Sequence, residues 1–354
     1  MKIAVLSTGV FVCPPTGYSG LEMLAWLQAK GLAAKGHRVT LFAPDGSSCP
    51  GCDIVHIGPA GQWDEATSYS KYWQHLLHQE VILDNTWNKW SFQLKAEGRI
   101  TYPILAVCHA PVNTMFSTWP PQFPNLPPVQ KACPVCISED QRSHFEALFN
   151  TPARTVYNGI DLGYYKSTGT IRTDRFLFLA RFSTIKGPLL AIESCKEAGA
   201  SLDLVGDSSI TNEPEYLEQC KRACDGKQIR MVGASSRGGT VNWYSQAHCM
   251  IHPVRNFREP FGLAPIESMA CGTPVIAWRN GAMKETIVEG ETGWLVNNEQ
   301  ELVAAIRLAR ESDPLGISPY IRKRCREQAS LFSVERMVSR YHDLCEEAVQ
   351  TGGW

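Results

Sequence analysis

The chain has no apolar run approaching the roughly 20 residues needed to cross a bilayer, so integral membrane association is not expected, while peripheral association stays open. Excess charge is missing too. Lys and Arg total 34 against 35 Asp and Glu in 354 residues, a net charge of -1, which gives no polyanion-binding character and removes nucleic acid from the expected partners. Neither G-x-x-x-x-G-K followed by Ser or Thr nor G-x-G-x-x-G occurs, so the usual kinase and dehydrogenase fingerprints are absent. Asp-x-Asp is absent as well, and no internal repeat or low-complexity tract is visible. The apolar opening from Met1 to Leu6 breaks at Ser7-Thr-Gly9, and Val10-Phe-Val lacks the small residues of a cleavage site. This predicts a buried first strand rather than an export leader.

Cysteine, by contrast, is plentiful. Thirteen residues, odd in number and scattered, in a chain without an export signal fit a reducing cytoplasm, the expected location. Two C-x2-C pairs, Cys49/Cys52 and Cys133/Cys136, raise a zinc reading. Cys133 to Ser138 reads as a strand, however, where positions i and i+3 face opposite sides and cannot chelate one ion.

The length suits two domains better than one core. Lys2 to Ser7 predicts a strand, Thr8 to Ser19 a loop rich in Gly and Pro, and Leu21 to Ala34 a helix ended by Gly36. With Val39 to Phe42 these form the opening βαβ of a doubly wound sheet, whose ligands bind at the carboxyl ends of the strands. Ile104 to Pro111 is an apolar strand running into His109, which its position assigns to the ligand face. A second sheet opens at Phe176 to Ala180. Strands Leu202 to Gly206, Ile229 to Gly233 and Cys249 to Pro253 follow. Between Gln62 and Phe123 aromatics are dense (Trp63, Tyr69, Tyr72, Trp73, Trp87, Trp90, Phe92, Phe116, Trp119, Phe123) while Lys and Arg are sparse. Some of these rings must be core; as a group they suit sugar rings or flat aromatic molecules.

The stretch around which the chain is organised begins at Arg258 and ends at Ala277. Glu259 and Glu267 bracket the start of a helix that admits Pro265 in its first turn and stops at Gly272. Amides of Phe261, Gly262 and Leu263 at that helix start suit an anion. A carboxylate accepting from a vicinal diol recognises a sugar or a ribose. The string E-P-F-G-L-A-P-I-E-S-M-A-C-G-T-P-V-I-A, followed by Gly281, Glu285 and G-E-T-G-W-L-V, resembles the donor-site signature of the retaining, two-domain glycosyltransferases of family 4, which have the GT-B fold. The resemblance extends over nearly the whole chain.

The resemblance implies two Rossmann-like, doubly wound α/β domains facing across a cleft. They are an acceptor-side domain at 1–157, a donor-binding domain at 158–334, and a terminal helix at 335–354 packing back on the first. Val156 to Asp161 matches the crossover, with Asn158-Gly159 as hinge. It implies that Arg181 and Lys186 stabilise a departing diphosphate in place of the metal that Asp-x-Asp transferases use, so no cofactor is expected. Glu259 faces the donor sugar, Glu267 grips the ribose, and His109 contacts the sugar. Gly20 lets backbone approach the diphosphate, although Ser19 stands where a glycine of the family's pair is expected. The base is held near Val232 and Gly233, with Gly206 ending the neighbouring strand. The expected donor is a nucleotide-sugar, UDP-glucose or another UDP-hexose before GDP-mannose or ADP-glucose. The expected acceptor is a soluble small molecule or saccharide. Same-face attack and a covalent intermediate both stay open, as do a GT-B epimerase or hydrolase and a non-catalytic nucleotide-sugar-binding protein.

Overall fold

In the computed structural model, residues 1–17, 19–115, 133–169, 172–208, 211–312 and 318–354 are described. Tyr18 and the aromatics Phe116, Trp119 and Phe123 lie outside them. The chain divides into two units, one formed by Met1–Gly159 with Val334–Trp354, the other by Ile160–Ser333.

The first unit carries β1 (Lys2–Leu6), α1 (Gly20–Ala34), β2 (Arg38–Ala43), β3 (Asp53–His56), α2 (Glu65–Leu76), β4 (Val81–Asp84) and α3 (Phe92–Ala96). It continues with β5 (Ile104–Cys108), α4 (Val112–Met115), β6 (Pro134–Cys136), α5 (Glu139–Phe149) and β7 (Arg154–Thr155). Every pairing in its sheet is parallel, in the order β3-β2-β1-β4-β5-β6-β7. Such sheets are buried on both faces, which is why β1, β4 and β5 read as near-continuous apolar runs.

The second unit carries β8 (Phe176–Leu179), α6 (Pro188–Glu197), β9 (Leu202–Val205), α7 (Pro214–Ala223), β10 (Ile229–Gly233), α8 (Arg237–Gln246) and β11 (Met250–His252). After these come α9 (Leu263–Ala270), β12 (Val275–Trp278), α10 (Met283–Thr286), β13 (Gly293–Val296), α11 (Glu299–Ser312) and α12 (Pro319–Ser330). Its parallel sheet runs β10-β9-β8-β11-β12-β13. Both units are therefore doubly wound α/β folds, as the GT-B resemblance implies. In each, the strand order reverses once, between β1 and β4 and between β8 and β11. A crevice for ligands opens at the carboxyl ends of such a strand pair.

The final helix, α13 (Val334–Thr351), belongs to the first unit and packs on α1. Its buried residues Met337, Val338, Tyr341, Leu344, Cys345 and Ala348 recur at helical spacing and form the seam. The two ends of the second unit meet each other: Ile160 and Ser333 form a parallel bridge, and the Ile160 amide donates to Phe332 O at 2.9 Å.

Cys133 precedes β6, and Cys136 stands opposite Cys108 on β5. Cys49 and Cys52 lie in a turn with their sulfurs 3.2 Å apart. No described helix is long and apolar enough to cross a membrane.

Candidate active site

At the switch point of the second unit, β8 delivers Arg181 and Lys186 in the loop leading to α6, and β11 ends in His252 before the loop that carries Glu259. Three of these four side chains meet. Lys186 Nζ lies 2.7 Å from Glu259 Oε2, and His252 Nε2 lies 3.4 Å from the same oxygen. Among the described residues Glu259 Oε1 has no hydrogen-bond partner. The backbone at Glu259 is fixed as well. Its carbonyl accepts from the Ala282 amide at 3.0 Å, and Asn280 Nδ2 donates to Phe257 O at 2.9 Å, lacing the loop to the turn after β12. Gly281, at φ 56°, is what allows this approach, because a Cβ there would stand 2.2 Å from Glu259 O.

The electrostatics of Glu259 follow from those partners. Burial opposes its charge, but the Lys186 ammonium and then His252 outweigh that cost and bring the carboxyl down from an ordinary 4.5 to about 2. Burial dominates at His252, whose proton affinity falls below the usual imidazole value against the pull of Glu259. The trio is thus a carboxylate held between an ammonium and a neutral imidazole.

Glu267 is the opposite case. It sits mid-way along α9, a helix buried on nearly every face, and accepts from Tyr244 Oη at 2.9 Å. Burial lifts its carboxyl from 4.5 to about 7, against the lowering effects of Tyr244, Tyr165 and Arg237. Two carboxylates eight positions apart in one chain segment are thus driven in opposite directions by their surroundings.

Helix α9 begins at Leu263 with Gly262 as N-cap and no side-chain cap, so the first-turn amides of Leu263 and Ala264 are left uncapped by any side chain. Phe261 contributes a buried ring set edge-on to Phe332, with centroids 5.7 Å apart. At the neighbouring strand ends, the register of β10 on β9 shifts between Met231 and Gly233, leaving Val232 as the extra, exposed residue of a bulge. The Gly206 amide donates to Gly233 O at 2.9 Å. Gly206 is needed there, since a Cβ would fall 1.9 Å from Ala180 O. Arg181 is exposed and makes no hydrogen bond or ion pair among the described residues.

In the first unit His109 directly follows β5. Asn85 Nδ2 donates to Gln28 Oε1 at 2.9 Å, so Asn85 Oδ1 accepts from His109 Nε2 at 2.9 Å, and this assigns the His109 tautomer with its lone pair on Nδ1. That nitrogen is buried without a partner. Burial, then Lys89, push the imidazole down to about 3, so His109 is a neutral hydrogen-bond acceptor. Beside it lies a buried network: Asp84 accepts from Thr86 and Ser91, with Lys89 Nζ 3.9 Å away, and Glu65 accepts from the amides of Trp87 and Asn88 at 2.7 and 2.6 Å. Gly20 opens α1, and the Ser19 hydroxyl, together with that of Thr8, is bonded to buried Glu22 in the first helical turn. Of the aromatics, Tyr69, Tyr72 and Phe92 are core, with Trp73 and Trp90 packed against them; Trp63 is 60% exposed.

A sequence profile of the glycosyl transferases group 1 matches residues 171–331, the segment that holds Arg181, Lys186, His252, Glu259 and Glu267. Over that segment the chain is similar to the group 1 glycosyltransferases. An uncharacterized glycosyltransferase of Methanocaldococcus jannaschii is 25% identical over 170 residues, 48% of this chain and 46% of the relative. A D-inositol 3-phosphate glycosyltransferase of Catenulispora acidiphila is 27% identical over 221 residues, 56% of this chain and 52% of the relative. The chain thus spans about half the length of these curated relatives. Solved structures extend the likeness in fold over the whole chain. The sucrose-phosphate synthase of Thermosynechococcus elongatus is 20% identical with a TM-score of 0.78, covering 99% of both chains. Anabaena HepE in complex with UDP and glucose is 18% identical with a TM-score of 0.75, covering 97% of this chain and 98% of its own.

Sequence reasoning missed three features of these sites. His252 ends a strand just as His109 follows one, and the same position-based argument would have found it. Tyr244 and Tyr165 gave no signal, since tyrosines at helical or loop positions read as core. The Asp84–Lys89 pair was equally silent, because a lysine after a strand reads as solvated.

Proposed function

We propose that this protein is a group 1 glycosyltransferase, a metal-independent, retaining hexosyltransferase that takes a hexose from a nucleotide-sugar, UDP-glucose first among the donors to test, and passes it to a soluble small-molecule or saccharide acceptor in the cytoplasm. The observation that carries the proposal is the meeting of Lys186, His252 and Glu259 at the strand-order reversal of the second unit, in the same segment as the uncapped start of α9. Lys186, Arg181 and the amides of Leu263 and Ala264 receive the donor diphosphate and carry the charge that develops as the glycosyl bond breaks. Glu259 Oε1 accepts from the hexose hydroxyls, and Glu267 from the ribose diol. Val232 and Gly233 receive the base, and Gly206 keeps their strand end in place. In the first unit, Gly20 admits the diphosphate and His109 Nδ1 accepts from a hexose hydroxyl. In same-face attack the leaving phosphate oxygen takes the acceptor's proton, so no separate strong base is required.

The test is nucleotide release from UDP-glucose, GDP-mannose and ADP-glucose in EDTA, with and without an acceptor panel that includes inositol 3-phosphate, the substrate in the Catenulispora relative's name. Acceptor-dependent release supports the transferase. Free sugar or a 2-epimer instead supports a hydrolase or epimerase, and tight binding without turnover supports a nucleotide-sugar-binding protein. Activity lost in EDTA and restored by manganese overturns the metal-free mechanism.

A further inference from the structure

Within the proposed donor site, Lys186 is asked to serve two anions. Its ammonium lies 2.7 Å from Glu259 Oε2, yet the same ammonium is the cation assigned to the diphosphate. One compact charge on a flexible stem cannot hold both at full strength, and the diphosphate carries more charge. Donor binding therefore draws Lys186 off Glu259, and the carboxylate, 10% exposed, loses its main compensating charge. A buried carboxylate in that condition either takes up a proton or turns away from the sugar.

Among the described residues, the charged or titratable side chains placed against Glu259 are Lys186, from the loop between β8 and α6, and His252, at the end of β11. His252 is 5% exposed, and its Nε2 is buried 3.4 Å from Glu259 Oε2, beyond an ideal hydrogen bond and with no other partner. The Glu259 backbone cannot follow Lys186, because the Ala282 amide and the close approach of Gly281 pin it. A shift of a few tenths of an ångström in the side chain alone brings Oε2 into a full bond with Nε2–H.

We propose that His252 is a positioning residue for Glu259: as its Nε2–H tautomer it holds Oε2 when Lys186 transfers to the donor diphosphate, and so keeps Oε1 presented to the donor sugar. Phe257, whose ring lies 5.6 Å from Lys186 Nζ, gives the departing ammonium a second contact along its path. The inference rests on the donor-site assignment above, and it predicts an effect confined to the sugar-bearing donor.

The experiment compares wild type, His252→Leu and His252→Gln, using UDP and UDP-glucose as probes in calorimetry and the nucleotide-release assay over pH 4 to 9. Expected for His252→Leu are unchanged UDP affinity, UDP-glucose affinity and kcat each lowered about tenfold, the size of one charge-assisted hydrogen bond, and an acid limb of kcat moved toward neutrality as Glu259 becomes easier to protonate. His252→Gln keeps an N–H donor and restores most of the rate. Equal losses for UDP and UDP-glucose in His252→Leu, or a wild-type acid limb, overturn the assignment. If His252→Leu does not fold, a His252→Gln enzyme with a rate below a tenth of wild type overturns it, and one close to wild type with an altered acid limb supports it. A wild-type protein that binds none of the UDP, GDP and ADP sugars refutes the underlying donor-site reading instead, so the two failures are distinct.

Discussion

Replacing Glu267 by Gln tests the electrostatic account of α9 most directly. In the folded protein burial holds the Glu267 carboxyl near 7, against 4.5 ordinarily. Between those values the unfolded chain has lost the proton and the folded chain keeps it, so folding binds a proton and stability falls as pH rises through the window. At about 1.4 kcal/mol per pH unit, this one side chain removes about 3 kcal/mol between pH 4.5 and 7 and nothing further above. Glutamine has no such proton and can still accept from Tyr244 through its carbonyl. The unfolding midpoint of Glu267→Gln relative to wild type should therefore rise by several degrees between pH 5 and pH 7.5, at roughly 2–4 °C per kcal/mol for a unit of this size. Calorimetry at the two pH values measures it. Donor binding should move the other way: the wild type should lose UDP-glucose affinity below pH 7 as the carboxylate is neutralised, and the variant should bind weakly at every pH. A midpoint difference that does not change with pH would refute the burial argument, and a pH-independent wild-type affinity would refute the ribose assignment.

Lys186→Ala and Glu259→Ala should each lower turnover a hundredfold or more, since each is assigned about 3 kcal/mol of transition-state stabilisation; a wild-type rate in the release assay removes that residue from the site. The lowered Glu259 carboxyl gives stability that is present above pH 4.5 and is lost as pH falls toward 2, so Glu259→Gln should flatten the acid end of the stability curve, read by urea unfolding at pH 3 and 5. Gly281→Ala should displace the Glu259 backbone and lower kcat about a hundredfold, with a crystal structure of the variant showing the moved loop. His109, held neutral, should contribute no limb to the rate profile near pH 6.5, so His109→Asn should change the rate without removing a limb.

Much of this was legible because the chain's chemistry sits at strand ends, and an apolar run followed by Gly, His or Lys marks such an end. Lys186, His109, Gly206 and Gly233 could be placed that way, and the full string from Glu259 to Ala277, with Gly281, Glu285 and G-E-T-G-W-L-V after it, carried the family resemblance. The division of labour between the two glutamates was hidden. It depends on Lys186 from one loop, His252 from another, and Tyr165 and Tyr244 from elsewhere, partners that only the folded chain assembles. Arg181 follows the same strand end in sequence, and its side chain is exposed. The bulge at Val232 was invisible because it is a matter of pairing register, which side-chain identity does not encode.

The bridge between Ile160 and Ser333 has an engineering consequence. A piece of chain whose entrance and exit are already clasped to each other is a cassette: it can be lifted out of one host and spliced into another by joining two neighbouring points, without respanning any distance. On the proposed assignment of donor binding to this unit, recombination at two codons would exchange donor preference and leave the flanking segments unchanged.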